Sequence, residues 1–266
     1  MSIITLLTDF GTEDEYVGLM KGVILSINPS VTIVDITHHI GRQDVVQAAF
    51  SIQTACGYFP KGTVHLIVVD PGVGTGRNLL ALETGKQYFI APDNGVLTLL
   101  LNAEDITALV AITNPELFLT PVSSTFHGRD IIAPVGAHIS RGFELGQLGA
   151  EISIGDVVRL DDIDAIRLEN GNLSGKIVTI DHFGNLISNI SSKKLAEFCQ
   201  TNPAKKIRIQ IGSRVIIGLS TTYASVPSKA PLALIGSRGY LEIAVNKGNA
   251  GLFFNAQKGF PLQVSV

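Results

Sequence analysis

Asp70 and Arg77 bracket the stretch DPGVGTGR, where an apolar run, VHLIVV, gives way to an acid, three alternating glycines and a guanidinium. Three chemistries use such parts: a phosphate cradle, a metal site, or an acid and a guanidinium working together. A P-loop requires G-x-x-x-x-G-K-[ST], and a dinucleotide fingerprint requires G-x-G-x-x-G opening a helix. Here Gly72, Gly74 and Gly76 alternate, Arg77 stands where the third fingerprint glycine would fall, and the following NLLALET has a strand pattern. No helix N-terminus is then placed to hold an anion, so the phosphate reading fails on context. Asp9 and Asp70 offer the oxygen chemistry of magnesium. However, His38 and His39 are adjacent, neither H-x-x-x-H nor H-E-x-x-H occurs, and no metal centre is expected.

The third reading depends on where the strands end. In open α/β sheets, ligands sit beyond the carboxyl ends of the strands. Asp9 follows IITLLT (3–8), Asp70 follows TVHLIVV (63–69), Asn94 follows YFIA (88–91), and His127 precedes a helical pattern in STFHGRD. These four side chains can converge on one edge, with glycines that let a ligand approach backbone closely. Singly, each has a structural reading: Asp9 could cap a turn, Asp70 form an Asx turn, Arg77 pair with a surface acid, and His127 be a satisfied half-buried imidazole. Their joint placement favours a site. Of the other polar residues, His65 and His138 read as packed and His182 as lining a site at most. Asp35 reads as satisfying backbone donors, and Arg129 and Asp130 as a helix start or a mutual pair.

The positioning elements alternate in the first half. Segment 12–29 reads as a helix with capping-box spacing at Thr12 and Glu15 and an apolar stripe at helical period. Segment 44–59 reads as a second helix, a short one starts at Val96, and 129–142 reads as a helix kinked by Pro134. Strand patterns at 32–37, 79–84 and 106–112 complete an α/β class, with a Rossmann-like, mostly parallel sheet covered on both faces. From about residue 170 the pattern becomes short strands between turns, from GKIVTID to PLQVSV, with one helix at 192–200. That spacing predicts a small antiparallel sandwich or barrel. The polar stretch 159–172 marks the seam, giving an α/β domain over 1–160 and an all-β domain over 170–266.

Composition narrows the classes. Net charge is −3 and no basic run occurs, which argues against nucleic acid and anionic membrane as partners. The two cysteines, Cys56 and Cys199, have no ligand spacing, and a reducing cytoplasm fits them. The N-terminus shows no targeting pattern and no apolar run reaches spanning length. Only 16% of residues are charged, a hint that surface is covered by further copies of the chain.

Six segments, in order LLTDFG, VVDPGVGTGR, APDNG, STFHGRD, DHFGN and GSRGYLEIAVN, resemble the S-adenosyl-L-methionine (SAM) hydroxide adenosyltransferases, or SAM hydrolases, relatives of the 5′-fluorinases and chlorinases. The resemblance runs along nearly the whole chain. It implies an N-terminal α/β domain, a C-terminal β-barrel and a homotrimer with sites between subunits. It also implies attack of water or hydroxide on the ribose 5′-carbon, releasing methionine and adenosine, with SAM as substrate and no cofactor. The family's catalytic trio falls on Asp70, Arg77 and His127. Its ribose-binding acid matches Asp9, and Phe126 is counted with the substrate-binding residues. The methionine-binding acid matches Asp181, Phe183 and Asn185 fall around adenine, Ser237 and Arg238 match the methionine carboxylate clamp, and Val245 to Lys247 should meet the adenine edge. No role is carried onto Gln43, where the match to the halogenases is poor.

Arg77 would favour hydroxide character in a nearby water, and either Asp70 or His127 could accept its proton. The halogenating relatives carry an aromatic residue where this chain has Asp70, and a tyrosine-serine pair where it has His127-Gly128. An acid in the nucleophile pocket repels halide, so hydrolysis is expected over halogenation. The alternatives are a SAM- or adenosine-binding regulatory module without turnover, and a 5′-halogenase.

Overall fold

Strict alternation on one strand sets up both cores of the first unit. In β3 (Val64–Val68), Val64, Leu66 and Val68 face one apolar cluster, while Ile67 and the following Val69 face another. This is the period of two that a strand covered on both sides requires. The computed structural model describes residues 2–103, 105–201 and 206–266. The chain divides into two units, Met1–Leu160 and Asp161–Val266.

In the first unit β3 lies inside a six-stranded sheet with β1 (Ile3–Thr8), β2 (Thr32–Thr37), β4 (Leu79–Thr84), β5 (Tyr88–Pro92) and β6 (Ile106–Ala111), in the order β2-β1-β3-β5-β4-β6. Strands β2, β1, β3 and β5 run parallel, and β4 is antiparallel to both its neighbours. The short link between β4 and β5 leaves no room for a crossover, so these two must pair as a hairpin. Helices α1 (Tyr16–Ile27) and α4 (Ala133–Ser140) supply Met20, Ile24, Val135 and Ala137 to one face. Helices α2 (Val45–Cys56) and α3 (Thr98–Ala103) supply Ile52 and Leu100 to the other. Among the described residues no helix is long and apolar enough to cross a membrane.

Two helices depart from expectation for identifiable reasons. α1 starts at Tyr16 without a side-chain cap, not at Thr12. The preceding segment is committed elsewhere: Gly11, at φ 72°, donates its N–H to the His38 carbonyl at 2.7 Å. The expected helix over 129–142 opens as a wider π turn, Gly128–Ile132, and becomes α-helical only around Pro134. Proline has no N–H for the carbonyl of Asp130. Leu119 supplies one instead, at 2.9 Å.

The second unit is an eight-stranded antiparallel sheet. Strands β7 (Ile166–Arg167), β8 (Leu173–Ile180), β9 (Leu186–Ser191), β10 (Arg208–Ile211), β11 (Arg214–Ile217), β12 (Pro231–Ile235), β13 (Tyr240–Val245) and β14 (Pro261–Ser265) follow the path β11-β10-β14-β8-β9-β13-β12, with β7 on β8. After β11 the chain returns to β12, where Ser220 donates to the Ala233 carbonyl at 2.7 Å and nearly closes a barrel. α5 (Ser192–Gln200) matches the expected helix, with Ser191 accepting from Lys194 N–H as its cap. α6 (Ala250–Phe254) is too short to show a helical period in sequence.

His65 of β3 is fully buried, 2.7 Å from the Thr5 hydroxyl and stacked on Phe89. Burial pushes its pKa down from 6.5 to about 4. The unfolded chain binds this proton more readily, so stability falls as pH drops from 6.5 to about 4, by about 3 kcal/mol in all, with no further loss from this group below that. Urea unfolding of His65→Gln across this range should show a correspondingly shallower acid dependence.

Candidate active site

Asp9 leaves β1, Asp70 leaves the β3 segment, and His127 stands just before the π turn, so all three lie at strand or helix junctions on one edge. They line a cleft of about 300 Å³ with Phe10, Gln43, Val73 and Phe126. Arg77 joins them through hydrogen bonds. Its Nε donates to both Asp70 oxygens, at 2.8 and 2.9 Å, and its Nη2 donates to Asp70 Oδ2 as well. The same Nη2 lies 3.1 Å from His127 Nδ1. Guanidinium has only donors, so Nδ1 is the acceptor, and a neutral His127 carries its proton on Nε2. Burial first, and Arg77 second, lower the His127 pKa below 6.5, against smaller opposing effects of Asp70 and Asp130. The Asp70 and Arg77 side chains are only 6% and 10% exposed.

The glycine loop shapes this pairing. Gly74 adopts φ +77°, and a Cβ there would fall 2.2 Å from the Ser124 carbonyl oxygen. The loop therefore lies flat against the segment leading to His127, which brings Asp70 and Arg77 within reach of it.

Asp9 is held from outside its own strand. Its Oδ2 accepts the Gln43 N–H at 2.7 Å, and Gln43 sits at φ 60°, a left-handed conformation costly for a residue with a Cβ. Behind it, Thr8 Oγ1 lies 2.9 Å from His38 Nδ1, and Asp35 lies 3.1 Å from His38 Nε2 and 2.6 Å from Lys21. Asp35 thus serves side chains, not the expected backbone donors. Phe126 lines the cleft edge-on to Phe10 and Tyr16. Asn94 is not brought in. Its amide donates to the Val69 carbonyl at 2.9 Å and fastens the turn after β5. Arg129 pairs with Asp130 at 2.6 Å. Among the described residues no three His, Cys, Asp or Glu side chains gather as metal ligands.

The second unit has its own cavity, of about 730 Å³, lined by Asp181, Phe183, Asn185, Ser237, Arg238, Val245 and Lys247, and also by His182, Tyr223 and Glu242. Asp181 is engaged by its own turn. Oδ1 accepts the N–H groups of Phe183 and Asn185 at 2.9 and 2.8 Å, and Oδ2 accepts the Asn185 amide at 3.0 Å. Gly184, at φ +85°, lets the Asn249 side chain pack where a Cβ would stand, at 2.2 Å. Phe183 is left 75% exposed, a free aromatic face.

A family signature described as the SAM hydroxide adenosyltransferase N-terminal domain matches residues 4–149, and its C-terminal counterpart matches 175–263. The chain belongs to this family. Among its relatives, the (R)-S-adenosyl-L-methionine hydrolase of Thermus thermophilus is 34% identical, covering 99% of this chain and all of the relative. That of Methanocaldococcus jannaschii is 35% identical over 96% of this chain and 92% of its own. A fluorinase from Nocardia brasiliensis is 30% identical over 99% and 97%. A solved structure of an uncharacterized conserved protein from Thermotoga maritima superposes with a TM-score of 0.90 at 35% identity, covering 99% of this chain and all of that one.

Family motifs point to most lining residues but reach neither Tyr223 nor the backbone of Gln43, and they give no role to Glu242, although it lies within GSRGYLEIAVN. Glu242 had one signal, an acid inside the apolar strand YLEIAV. Gly74→Ala should cost about 2 kcal/mol or more in urea unfolding, from the left-handed backbone and the Ser124 overlap. Gly76→Ala, whose Cβ would meet nothing within 4 Å, should change stability by less than about 0.5 kcal/mol.

Proposed function

We propose that this chain is a SAM hydrolase, converting SAM and water to adenosine and L-methionine, with Asp70, Arg77 and His127 as the catalytic set. The observation that carries the reading is the Arg77 guanidinium tied to both Asp70 and His127 at the cleft of a chain of this family. A sulfonium is already a good leaving group, so the enzyme needs an aligned nucleophile and a dry site. A water oxygen attacks C5′, the C5′–S bond breaks, and its electron pair neutralises sulfur as the thioether of methionine. The water proton passes to the Asp70 carboxylate and then to solvent.

His127 Nδ1 faces Arg77 and Nε2 bears a proton, so neutral His127 donates to the water oxygen and orients it, while Asp70 is the acceptor. Asp70 and Arg77 together are neutral, and a neutral His127 adds no charge against the incoming sulfonium. Asp9 is proposed to hold the ribose hydroxyls, with Phe126 beside them. In the second unit, Phe183, Asn185 and the Val245 to Lys247 segment are proposed for adenine, Ser237 and Arg238 for the methionine carboxylate, and Asp181 for shaping the methionine end. SAM itself is the substrate, with no separate cofactor. We further propose a cytoplasmic homotrimer with the substrate sites at subunit interfaces. The low charge content and the exposed Phe183 support it, and light scattering at three chain masses is the expected result.

Purified protein incubated with each sulfonium epimer of SAM should release adenosine and methionine, and in H₂¹⁸O the label should enter the adenosine 5′-hydroxyl. Tight binding without product would leave a binding module, and a halogenated nucleoside formed with added halide would mark a halogenase. Asp70→Asn should lower kcat by about 100-fold or more. Protonating His127 Nδ1 would set it against Arg77, so the acid limb of kcat/KM should lie below pH 6.5, on the side to which its pKa is shifted. An acid limb above that value would contradict the tautomer assignment.

A further inference from the structure

Glu242 is the most deeply buried acid of the second unit's cavity, at 6% exposure on β13, which is paired on both sides by β9 and β12. Its Oε1 accepts the Tyr223 hydroxyl at 2.7 Å. Its Oε2 lies where a Cβ on Gly236 would stand, 2.3 Å away, so the carboxylate rests directly on the turn that carries Ser237 and Arg238. Burial raises the Glu242 pKa, with Asp181 adding to the rise and Tyr223 and Arg238 opposing it. Among the described residues no cationic side chain pairs with it within 4.0 Å.

A buried anion without a cation is costly, and a neutral acceptor would satisfy Tyr223 as well. The other acid of the cavity, Asp181, already accepts three N–H donors from its own turn. A free α-amino acid carries its ammonium and carboxylate on one carbon. A carboxylate held beside Ser237 and Arg238 therefore brings an ammonium to within reach of whatever anion adjoins that turn, and Glu242 adjoins it.

We propose that Glu242 receives the α-ammonium of the amino-acid end of SAM and that Tyr223 is a positioning residue holding its carboxylate toward the cavity. This assignment rests on the SAM hydrolase reading. It makes Glu242 a specificity residue, selecting a zwitterionic amino-acid tail over a tail bearing the carboxylate alone.

The test compares SAM with its analogue lacking the α-amino group, in wild-type protein and in Glu242→Gln, Gly236→Ala and Tyr223→Phe. The wild type should prefer SAM in KM by about 10-fold or more, the usual worth of a hydrogen bond to a charged group. Glu242→Gln should raise the KM for SAM to near that of the analogue, the loss falling on KM and not on kcat, with the analogue's KM little changed. Gly236→Ala should collapse the preference with Glu242 still present, because its Cβ displaces the carboxylate, and Tyr223→Phe should weaken it in part. A preference that survives both Glu242→Gln and Gly236→Ala, or one that vanishes only in Asp181→Asn, overturns the assignment while wild-type turnover stands. No release of adenosine by the wild type overturns the hydrolase reading itself.

Discussion

A single guanidinium fixes the geometry of the first unit's cleft. Arg77 reaches Asp70 through two nitrogens and His127 through one, so groups from two separate loops share one rigid donor. Its planar fork makes this possible, and a lysine ammonium could not impose the same angles. The pairing also sets the charge. A buried guanidinium alone would repel a sulfonium, and a buried carboxylate alone would be strongly desolvated. Together they leave a neutral, ordered surface, and the lowered pKa of His127 keeps it neutral.

The sheet delivers these groups because its strands end together. β1 and β3 are adjacent and parallel, in register from Ile4 with Val64 to Thr8 with Val68, so Asp9 and the Asp70 segment emerge side by side. Side chains on both faces of β3 are buried, His65 included, and the acid Asp70 stands just past its end. The loops then hold one another: Gly11 bonds to the His38 carbonyl, and Gln43 gives Asp9 its N–H from a strained backbone. Strain of this kind persists where surrounding bonds over-determine it, and here those bonds come from loops that follow β1 and β2.

Local signals made the fold class and most strands legible. TIVDIT, LLALET and YLEIAV carry β-branched or apolar runs bounded by turns, and the structure pairs each as a strand. Segments whose shape depends on a distant partner were not legible. α1 starts late because Gly11 answers to His38, and the helix near Pro134 opens as a π turn because Leu119 takes up the orphaned carbonyl. Asp35 looks like a backbone acceptor in sequence, but its partners Lys21 and His38 come from a helix and a loop on either side of it. In the site, motif residues were readable as types. That Asp181 accepts three N–H donors from its own turn, while Glu242 accepts a single phenol, depends on hydrogen bonds that spacing does not encode.

The two acids that line the second unit's cavity differ in what they can still do for a cation. A carboxylate that accepts three N–H donors has its charge spread over amides that stay in place whether or not a ligand is present. A carboxylate held by one phenol retains most of its desolvation cost until a cation arrives. Binding a cation at such a group recovers free energy that folding spent, whereas a neutral ligand recovers none. Burial of Glu242 is therefore better understood as stored electrostatic preference than as packing, since the neighbouring strand positions Leu241 and Ile243 already fill the apolar core on the other face of β13.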